Sequence, residues 1–381
     1  MTLAPARKAA FAALLAVERG AWSAEALAAK SVHLETRDAA LASDIVFGVL
    51  RRRGELDGLI KHYSKVPLDR LDPEVWIALE MAIYQMKFLD RVPAHAAVND
   101  AVELARRAGT DSAASFVNAV LRQWQRKPVE VPEALSTPKW LLDRWSAQFG
   151  EETAAGIAQA SLKIPERYIR VGSFSPPLGA EPTDVAGCYR LSSGDPNGCR
   201  FQDISAQAVV PLLDLKPGQT FLDLCAAPGN KTAQALETQV KGIACDFHLS
   251  RARTLTPLGV PVVVLDARDP LPFSRRFDRI LIDAPCSGTG TIARNPEIKW
   301  KLEPEDFSDL QQRQIAILRN ALAQLAPGGR LVYSTCSLER EENEDVIAAV
   351  PGAIVSETMH RVPGRDAGDG FFAAAIIRVS E

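Results

Sequence analysis

Long apolar runs are missing from this chain of 381 residues. No stretch approaches the roughly 20 consecutive apolar residues that a membrane-spanning helix requires. The Ala-rich segment after Arg7-Lys8 is short and runs into Glu18-Arg19 without a convincing cleavage site, so we interpret it as an amphipathic helix rather than a signal peptide. We therefore expect a cytoplasmic globular protein that makes no membrane contact.

Metal-ligand spacing is also missing. The 6 cysteines form no C-x-x-C pair and the 5 histidines are scattered, so the sequence indicates no metal site. All the cysteines lie from residue 188 onward, which suits reduced thiols in a cytosolic domain better than a disulfide framework. They occupy positions 188, 199, 225, 245, 286 and 336.

A large charge of one sign is missing as well, since 44 Lys and Arg are set against 47 Asp and Glu. Residues 1–127 are the more basic part, with 18 Lys and Arg against 15 Asp and Glu, whereas the remainder has 26 against 32. Basic clusters at 51–53, 106–107 and 122–127 are ordinarily solvated helix faces. They become phosphate-binding candidates only with independent support.

Changes of pattern along the chain predict three domains. Residues 1–127 form an all-α domain, because Ala and Leu dominate, apolar residues recur at spacings of three and four, and strand-like alternation is missing. Prolines over 128–138 mark a linker, since proline removes backbone donors and discourages helix. A small α+β subdomain follows over 139–204, and the largest domain occupies 205–381.

Short apolar strands alternate with helix-length segments after residue 205. This pattern is typical of a parallel sheet covered on both faces, so we predict an α/β, doubly wound, Rossmann-like fold. The predicted strands are Thr220 to Leu224, Gly242 to Cys245, Pro261 to Leu265, Arg279 to Ile282 and Arg330 to Ser334.

Polar or reactive residues stand where these strands end. Ligands of open α/β sheets bind at the carboxyl ends of the strands, so these residues converge on one site. Two thiols among them suggest covalent chemistry beside a nucleotide-like cofactor. The residues are Asp223, Asp246, Asp266, Asp283, Cys286 and Cys336.

The loop after the first of these strands lacks phosphate-binding glycines. A P-loop would need glycine at Cys225 and Asn230, and G-x-G-x-x-G is absent too. A nucleoside-binding sheet without phosphate clamps suits S-adenosylmethionine, with Asp246 accepting from the ribose hydroxyls and Asp266 near the adenine. Further cofactor contacts are predicted for Asp283 and for Cys225, Ala226, Ala227, Pro228, Gly229, Asn230 and Lys231.

Three segments resemble signature motifs of the RNA cytosine-C5 methyltransferases. They are Phe221 to Thr232, Asp283 to Gly290, and Tyr333 to Ser337. The match is closest to the Sun/Fmu (RsmB-type) group of bacterial 16S ribosomal RNA enzymes. Segments resembling that group's NusB-like domain, its entry into the catalytic domain and its final strand region are Val92 to Asn99, Phe116 to Arg122, Phe201 to Gln207 and Asp369 to Phe372.

The resemblance covers nearly the whole chain. It implies an S-adenosylmethionine-dependent enzyme that forms 5-methylcytosine in small-subunit ribosomal RNA, with a NusB-like RNA-binding domain over 1–127 and the catalytic domain over 205–381. We expect a monomer. Asn230 stands where the family usually has a second glycine, and Asn tolerates left-handed backbone better than most residues.

Cytosine chemistry explains why two thiols are useful. Carbon 5 is too weak a nucleophile to take a methyl group from a sulfonium, but a thiolate that adds at carbon 6 turns the ring into an enamine that can. A carboxyl group can protonate or hydrogen-bond N3, and Asp283 is placed for this. The residues alone do not choose the attacking thiol; the resemblance implies Cys336 as nucleophile and Cys286 as the helper in release.

Other hypotheses stay open at this point. A vestigial catalytic domain would leave an RNA-binding factor of the antitermination type, although no motif cysteine or cofactor aspartate is lost. Transfer RNA is an alternative substrate, because nothing in the residues encodes the modified nucleotide; DNA is disfavoured because DNA enzymes attack from the Pro-Cys position. Arg294, Lys299 and Trp300 are candidates to contact RNA, with ordinary surface or packing as the alternative.

Overall fold

The computed structural model describes residues 3–108 and 111–378. The chain forms two compact units. The first, which we call the helical unit, joins Met1–Lys163 to the short segment Ile292–Lys301. The second, the sheet unit, joins Ile164–Thr291 to Leu302–Glu381.

Helices make up the regular structure described in the helical unit, as the sequence predicts for residues 1–127. Their apolar faces share one core. The helices are α1 (Pro5–Glu18), α2 (Ser23–Ser31), α3 (Thr36–Tyr63), α4 (Pro73–Phe88), α5 (Ala94–Ala108), α6 (Asp111–Arg126), α7 (Lys139–Phe149) and α8 (Glu151–Ser161), and the later segment adds α12 (Ile298–Lys301).

Helix α4 lies at the centre of this core. Pro73 occupies its first turn, where the missing N–H costs no helical hydrogen bond. From Ile77 to Gln85 every side chain is buried, which is the pattern of a helix enclosed on all sides. The one carboxylate in that run, Glu80, accepts a hydrogen bond from Arg53 Nε at 3.2 Å.

The two compact units divide the chain at different places from the predicted domains. Helices α7 and α8 belong to the helical unit, so the predicted subdomain 139–204 is split at Lys163. Residues 128–138 also pack along α3 rather than forming a free linker, because a Cβ added at Gly54 would lie 1.8 Å from Leu135 O. The pair of Arg52 and Glu133, 2.6 Å apart, fastens the same stretch.

A small antiparallel sheet opens the sheet unit. Its strand order is β2-β3-β1-β4. Its first strand ends at Arg170, and Gly172 then takes a positive φ of +57°. The strands are β1 (Tyr168–Arg170), β2 (Glu181–Pro182), β3 (Cys188–Arg190) and β4 (Arg200–Phe201).

A seven-stranded sheet forms the body of the sheet unit and confirms the Rossmann-like prediction. Its order is β10-β11-β9-β8-β5-β6-β7. The strands are β5 (Thr220–Asp223), β6 (Lys241–Asp246), β7 (Val262–Val264), β8 (Phe277–Asp283), β9 (Leu325–Thr335), β10 (Ile354–Arg361) and β11 (Phe371–Ile377). The helices are α9 (Ile204–Val209), α10 (Asn230–Leu236), α11 (Leu249–Ala252), α13 (Asp306–Gln324) and α14 (Glu344–Ala348).

The sheet is mixed, whereas the sequence pattern predicts a parallel one. β11 runs antiparallel to both β9 and β10, and the five predicted strands β5 to β9 are parallel to one another. Because parallel strands end at the same edge, the carboxyl ends of β5, β6, β8 and β9 carry their following loops to one side of the sheet. We call this side the active edge.

Within residues 3–108 and 111–378, no helix has both the length and the apolar composition needed to cross a membrane. In the same ranges, no group of three or more His, Cys, Asp or Glu side chains could hold a metal ion.

Candidate active site

Two cysteines meet at the active edge. β8 and β9 pair with Asp283 opposite Ser334, and Cys286 and Cys336 follow directly in the loops after these strands. Their Sγ atoms lie 3.4 Å apart. Both thiols are partly accessible, so they can reach the same small reacting group.

The Cys286 thiol is held in its neutral form. Its hydrogen bond to Cys336 and its burial raise its pKa well above the usual value, and the negative charges of Glu342 and Asp283 act in the same direction. A neutral thiol can donate a hydrogen bond, and either sulfur of the pair can be the donor in the sulfur–sulfur contact.

Asp283 is oriented by a cation from the neighbouring loop. Lys231 Nζ lies 2.7 Å from Asp283 Oδ2, and its ammonium group sits 4.9 Å from the centre of the Phe371 ring. Ser334 Oγ lies 3.3 Å from the other carboxylate oxygen. One third of the Asp283 side chain stays exposed, so the carboxylate is both fixed and open to a ligand.

The loop of residues 225–229 brings backbone close to the active edge. Gly229 has a φ of +105°, and a Cβ there would lie 3.0 Å from a Leu255 methyl group. Asn230 begins α10 with helical backbone, and the left-handed conformation occurs at Gly229 instead. An asparagine at position 230, where the family usually has a second glycine, therefore causes no backbone strain. Burial and the charges of nearby aspartates raise the pKa of Cys225 well above its usual value, so its thiol is neutral.

Asp246 ends β6 and is almost fully buried. Its carboxylate accepts hydrogen bonds from His248 N at 3.0 Å and Ala227 N at 3.4 Å, and Arg251 lies 3.6 Å away. Its main chain is also bound, because Leu265 N, one residue after β7, donates a hydrogen bond to Asp246 O. The carboxylate is therefore fixed beside the loop of residues 225–229.

Asp266 lies two residues beyond the end of β7, the strand that pairs with β6 and places Val264 opposite Asp246. Arg268 donates to both oxygens of the Asp266 carboxylate, from Nη2 to Oδ2 at 2.5 Å and from Nε to Oδ1 at 2.9 Å, and lowers its pKa. Phe247 and Val264, about half exposed, flank these strand ends and offer apolar surface to a flat ring.

These residues fit S-adenosylmethionine. Asp223 is 1% exposed, and within the described residues its Oδ1 has no hydrogen-bond partner, while Thr232 Oγ1 donates to Oδ2 at 2.6 Å. Burial raises the pKa of Asp223 to about 7. A cofactor with a cationic amino-acid portion, a ribose diol and an adenine matches a row of carboxylates next to apolar surface.

The later segment of the helical unit overturns one prediction. Lys299, a candidate RNA contact, is 1% exposed and donates to Arg51 O at 2.8 Å, and Trp300 Nε1 donates to Leu50 O at 2.7 Å. These side chains pack against α3, which is the alternative that the sequence leaves open. Arg294 also has interactions within the protein.

The basic cluster at 51–53 is likewise engaged inside the helical unit. Its guanidinium groups are largely buried and bind carbonyl or carboxylate oxygens, so it does not form a phosphate site. The contacts are Arg51 with Ala293 O (2.9 Å), Arg52 with Glu133 (2.6 Å) and Arg53 with Glu18 (2.7 Å).

Glu342 is a residue of the site that the sequence pattern does not reveal. It is fully buried beneath the two cysteine loops and accepts hydrogen bonds from both. Its surroundings, Glu339 to Glu344, are rich in acidic residues and predict an exposed turn. The one signal available is that a serine directly follows each cysteine.

Comparisons with known proteins agree with this geometry. Residues 210–354 match the family model described as 16S rRNA methyltransferase RsmB/F, and residues 4–126 match the NusB family. The ribosomal RNA small subunit methyltransferase B of Erwinia tasmaniensis is 32% identical, with 95% of this chain and 96% of that protein covered. This chain belongs to the ribosomal RNA small subunit methyltransferase B family.

A second relative and a solved structure extend the match. The probable ribosomal RNA small subunit methyltransferase B of Bacillus subtilis is 34% identical, with 84% of this chain and 81% of that protein covered. The crystal structure of PH0851 has a TM-score of 0.80 at 24% identity, covers 98% of this chain and 99% of its own, and has the same fold. Membership of the family makes the chain an RNA methyltransferase that uses S-adenosylmethionine, as the sequence predicts.

Proposed function

We propose that this chain methylates carbon 5 of a cytosine in small-subunit ribosomal RNA through a covalent bond between Cys336 and carbon 6 of the base. The observation that carries the proposal is the pair of thiols 3.4 Å apart at the ends of β8 and β9, beside the oriented carboxylate of Asp283. Two thiols and a carboxyl group on one edge are what addition and elimination at a pyrimidine require.

In the first step the Cys336 sulfur adds to carbon 6. On this proposal the neutral thiol of Cys286 donates a hydrogen bond to the Cys336 sulfur, which reacts as the thiolate. For this step the Asp283 carboxyl, held beside Lys231, carries a proton, which it hydrogen-bonds or transfers to N3 of the base and so neutralises the negative charge that develops there. The ring then has enamine character, and carbon 5 becomes a nucleophile.

Bound S-adenosylmethionine supplies an electrophilic methyl group on its sulfonium. Asp246 would hold the ribose, Asp266 would lie near the adenine, and the backbone of residues 225–231 would line the cofactor between them. Asp223 has a free carboxylate oxygen within the described residues and is a further candidate to bind the cationic amino-acid portion.

The second half of the reaction returns the enzyme thiol. The carbon 5 proton passes to solvent water, and the electron pair of its C–H bond re-forms the double bond between carbons 5 and 6. The carbon–sulfur bond at carbon 6 breaks with its electron pair leaving on the Cys336 sulfur, N3 returns its proton to Asp283, and the aromatic ring is restored with its new methyl group. Cys286, which lies against the Cys336 sulfur, would return a proton to the departing thiolate. Loss of Cys286 would therefore leave the covalent adduct uncleaved.

The choice of small-subunit ribosomal RNA rests on the names of the relatives, and we infer a cytoplasmic location from that substrate. The helical unit would contribute RNA binding through exposed cations at the end of α6, namely Arg122, Arg126 and Lys127. A target base must leave its stack to enter such a site, as base-modifying enzymes generally require.

The test offers the purified protein labelled S-adenosylmethionine and, separately, undermethylated small-subunit RNA, transfer RNA and a DNA duplex. Digestion to nucleosides identifies the product. The proposal predicts 5-methylcytosine in small-subunit RNA alone. Label in transfer RNA alone would identify transfer RNA as the substrate in place of small-subunit ribosomal RNA. A methylated nucleoside other than 5-methylcytosine would overturn the proposed chemistry.

A further inference from the structure

A single buried carboxylate joins the two cysteine loops. Glu342 is 0% exposed, and its Oε1 accepts hydrogen bonds from Ser287 N at 2.8 Å and Gln314 Nε2 at 3.0 Å. Its Oε2 accepts from the hydroxyl groups of Ser287 and Ser337, both at 2.5 Å. Four donors thus converge on one side chain that no cation neutralises among these contacts.

The two serines occupy equivalent places. Ser287 follows Cys286 and Ser337 follows Cys336, so each serine that binds the carboxylate is the next residue after one of the two cysteines. The serine hydroxyls also lie 3.2 Å from each other. Any movement of one loop relative to the other must therefore stretch hydrogen bonds to Glu342.

The turn that carries Glu342 is itself fixed to β9 and to the loop that follows it. Tyr333 Oη donates to Glu342 O at 2.6 Å. Asn343 Nδ2 donates to Ser337 O at 3.0 Å, and Asn343 Oδ1 accepts from Thr335 Oγ1 at 2.5 Å. Because all these groups are buried, an alternative position for the carboxylate would leave several of them unpaired.

We propose that Glu342 is a positioning residue for methyl transfer, which sets the separation of Cys286 and Cys336 by binding the serine after each of them. The inference rests on the proposed function for its catalytic meaning. Its physical content, that one carboxylate fixes the geometry and charge of the thiol pair, stands on the contacts alone.

Charge gives the arrangement a second consequence. Cys336, Glu342, Asp283 and the buried Tyr333 phenol are the titratable groups around Cys286, and the negative charges of Glu342 and Asp283 help to raise its pKa. Glu342 therefore favours the protonated form of Cys286 and also binds both loops, through two hydrogen bonds from Ser287 and one from Ser337.

Glu342→Gln tests the inference because it keeps the size of the side chain and removes its charge. Glu344→Gln is the matched control, since Glu344 lies two residues away and its carboxylate faces His360 at 3.7 Å. Two measurements are made on each variant: kcat and KM for S-adenosylmethionine with the RNA substrate, and the pH dependence of Cys286 alkylation by iodoacetamide. Tryptic peptides Ile280–Arg294 and Leu331–Arg340 report the two cysteines separately by mass spectrometry.

For Glu342→Gln we expect kcat to fall about a hundredfold, because misplacement of reacting groups by about 1 Å has that effect. KM for S-adenosylmethionine should stay within about twofold, because none of the hydrogen bonds to Glu342 involves residues 225–231, which are proposed to line the cofactor. The midpoint of Cys286 alkylation should move to lower pH by about one unit once the charge is gone. Glu344→Gln should match wild type in all three.

Wild-type kcat in Glu342→Gln would overturn the inference, and so would a fall in kcat with an unmoved alkylation midpoint, since general loosening does not change the charge at Cys286. If Glu342→Gln does not fold, Ser287→Ala and Ser337→Ala each remove one donor and should each lower kcat about tenfold; wild-type rates in both would contradict it. The alkylation arm needs no RNA, so it still decides the role of Glu342 if the wild-type protein forms no 5-methylcytosine.

Discussion

At the scale of single residues, the active edge depends on how a few charges are matched. Asp283 has a cation at 2.7 Å, Asp246 is held by backbone N–H groups, and Asp223 is buried with one oxygen unpaired within the described residues. Three carboxylates of the same type are therefore prepared for different tasks by their surroundings.

Lys231→Met removes the cation that orients Asp283. Without it the carboxylate can rotate away from the base, so we expect kcat for methyl transfer to fall about a hundredfold. Initial rates with labelled S-adenosylmethionine measure the effect. Lys241→Met, an exposed lysine at the start of β6, is the control, and equal rates in the two variants would contradict the role given to Lys231.

Asp246→Asn tests the assignment of the ribose contact. A hydrogen bond to a charged acceptor contributes about 1.5–3 kcal/mol, so the Kd for S-adenosylmethionine should rise about ten- to a hundredfold. Isothermal titration calorimetry measures it without RNA. Asp269→Asn, at an exposed position, should bind as wild type does, and an unchanged Kd in Asp246→Asn would remove Asp246 from the cofactor site.

The residues that follow the strands could be predicted from the sequence because strand periodicity and the carboxyl-end rule act locally. That is why Cys286, Cys336 and Asp283 meet as expected. Glu342 could not be found in this way. Its role depends on a turn folding back under two loops, and an acidic turn in sequence has the composition of exposed surface.

At the scale of elements, the five parallel strands follow from their apolar runs, but β10 does not. Its residues are mostly exposed, because it is an edge strand that pairs on one side with β11. The position of the segment Ile292–Lys301 could not be predicted for the opposite reason. Its charged residues predict an exposed position, yet hydrogen bonds to carbonyls of α3 bury Lys299.

Lys299 makes the free energy of unfolding depend on pH. Burial lowers its pKa from 10.5 to about 7, so between these values the folded protein holds a neutral lysine and the unfolded chain a charged one. The unfolded state then binds the extra proton, and the contribution of Lys299 to the free energy of unfolding rises with pH across this window, by up to about 1.4 kcal/mol per pH unit.

Thermal unfolding of wild type and Lys299→Met at about pH 7 and about pH 9.5 measures this effect. The Tm of wild type relative to Lys299→Met should increase at the higher pH. Lys241→Met, whose lysine is exposed at the start of β6, is the control. A constant difference between wild type and Lys299→Met would mean that Lys299 stays charged in the fold.

At the scale of the whole molecule, the uneven charge along the chain is only partly available to RNA. The cluster at 51–53 is used inside the helical unit, and Arg106 and Arg107 pair with Glu103. Exposed cations at the end of α6 are the better candidates for phosphate contacts. Composition could predict that the N-terminal part is basic, but not which of its cations pair with carboxylates or carbonyl groups inside the protein.

Replacing Arg122, Arg126 and Lys127 together by Ala should weaken binding of small-subunit RNA and reduce the slope of log K against log salt by up to about 3. Fluorescence anisotropy over a series of salt concentrations measures both. Arg275→Ala with Arg276→Ala, just before β8 and away from the active edge, serves as the control. An unchanged slope in the triple variant would place the RNA contacts elsewhere.

The central claim, a covalent reaction shared between two thiols, is tested most directly by the adduct itself. Wild type, Cys336→Ala and Cys286→Ala are incubated with S-adenosylmethionine and labelled undermethylated small-subunit RNA and run on a denaturing gel. We predict a trapped protein–RNA band with Cys286→Ala and none with Cys336→Ala. A trapped band with Cys336→Ala, or product formation by that variant, would contradict the assignment of Cys336 as the attacking thiol.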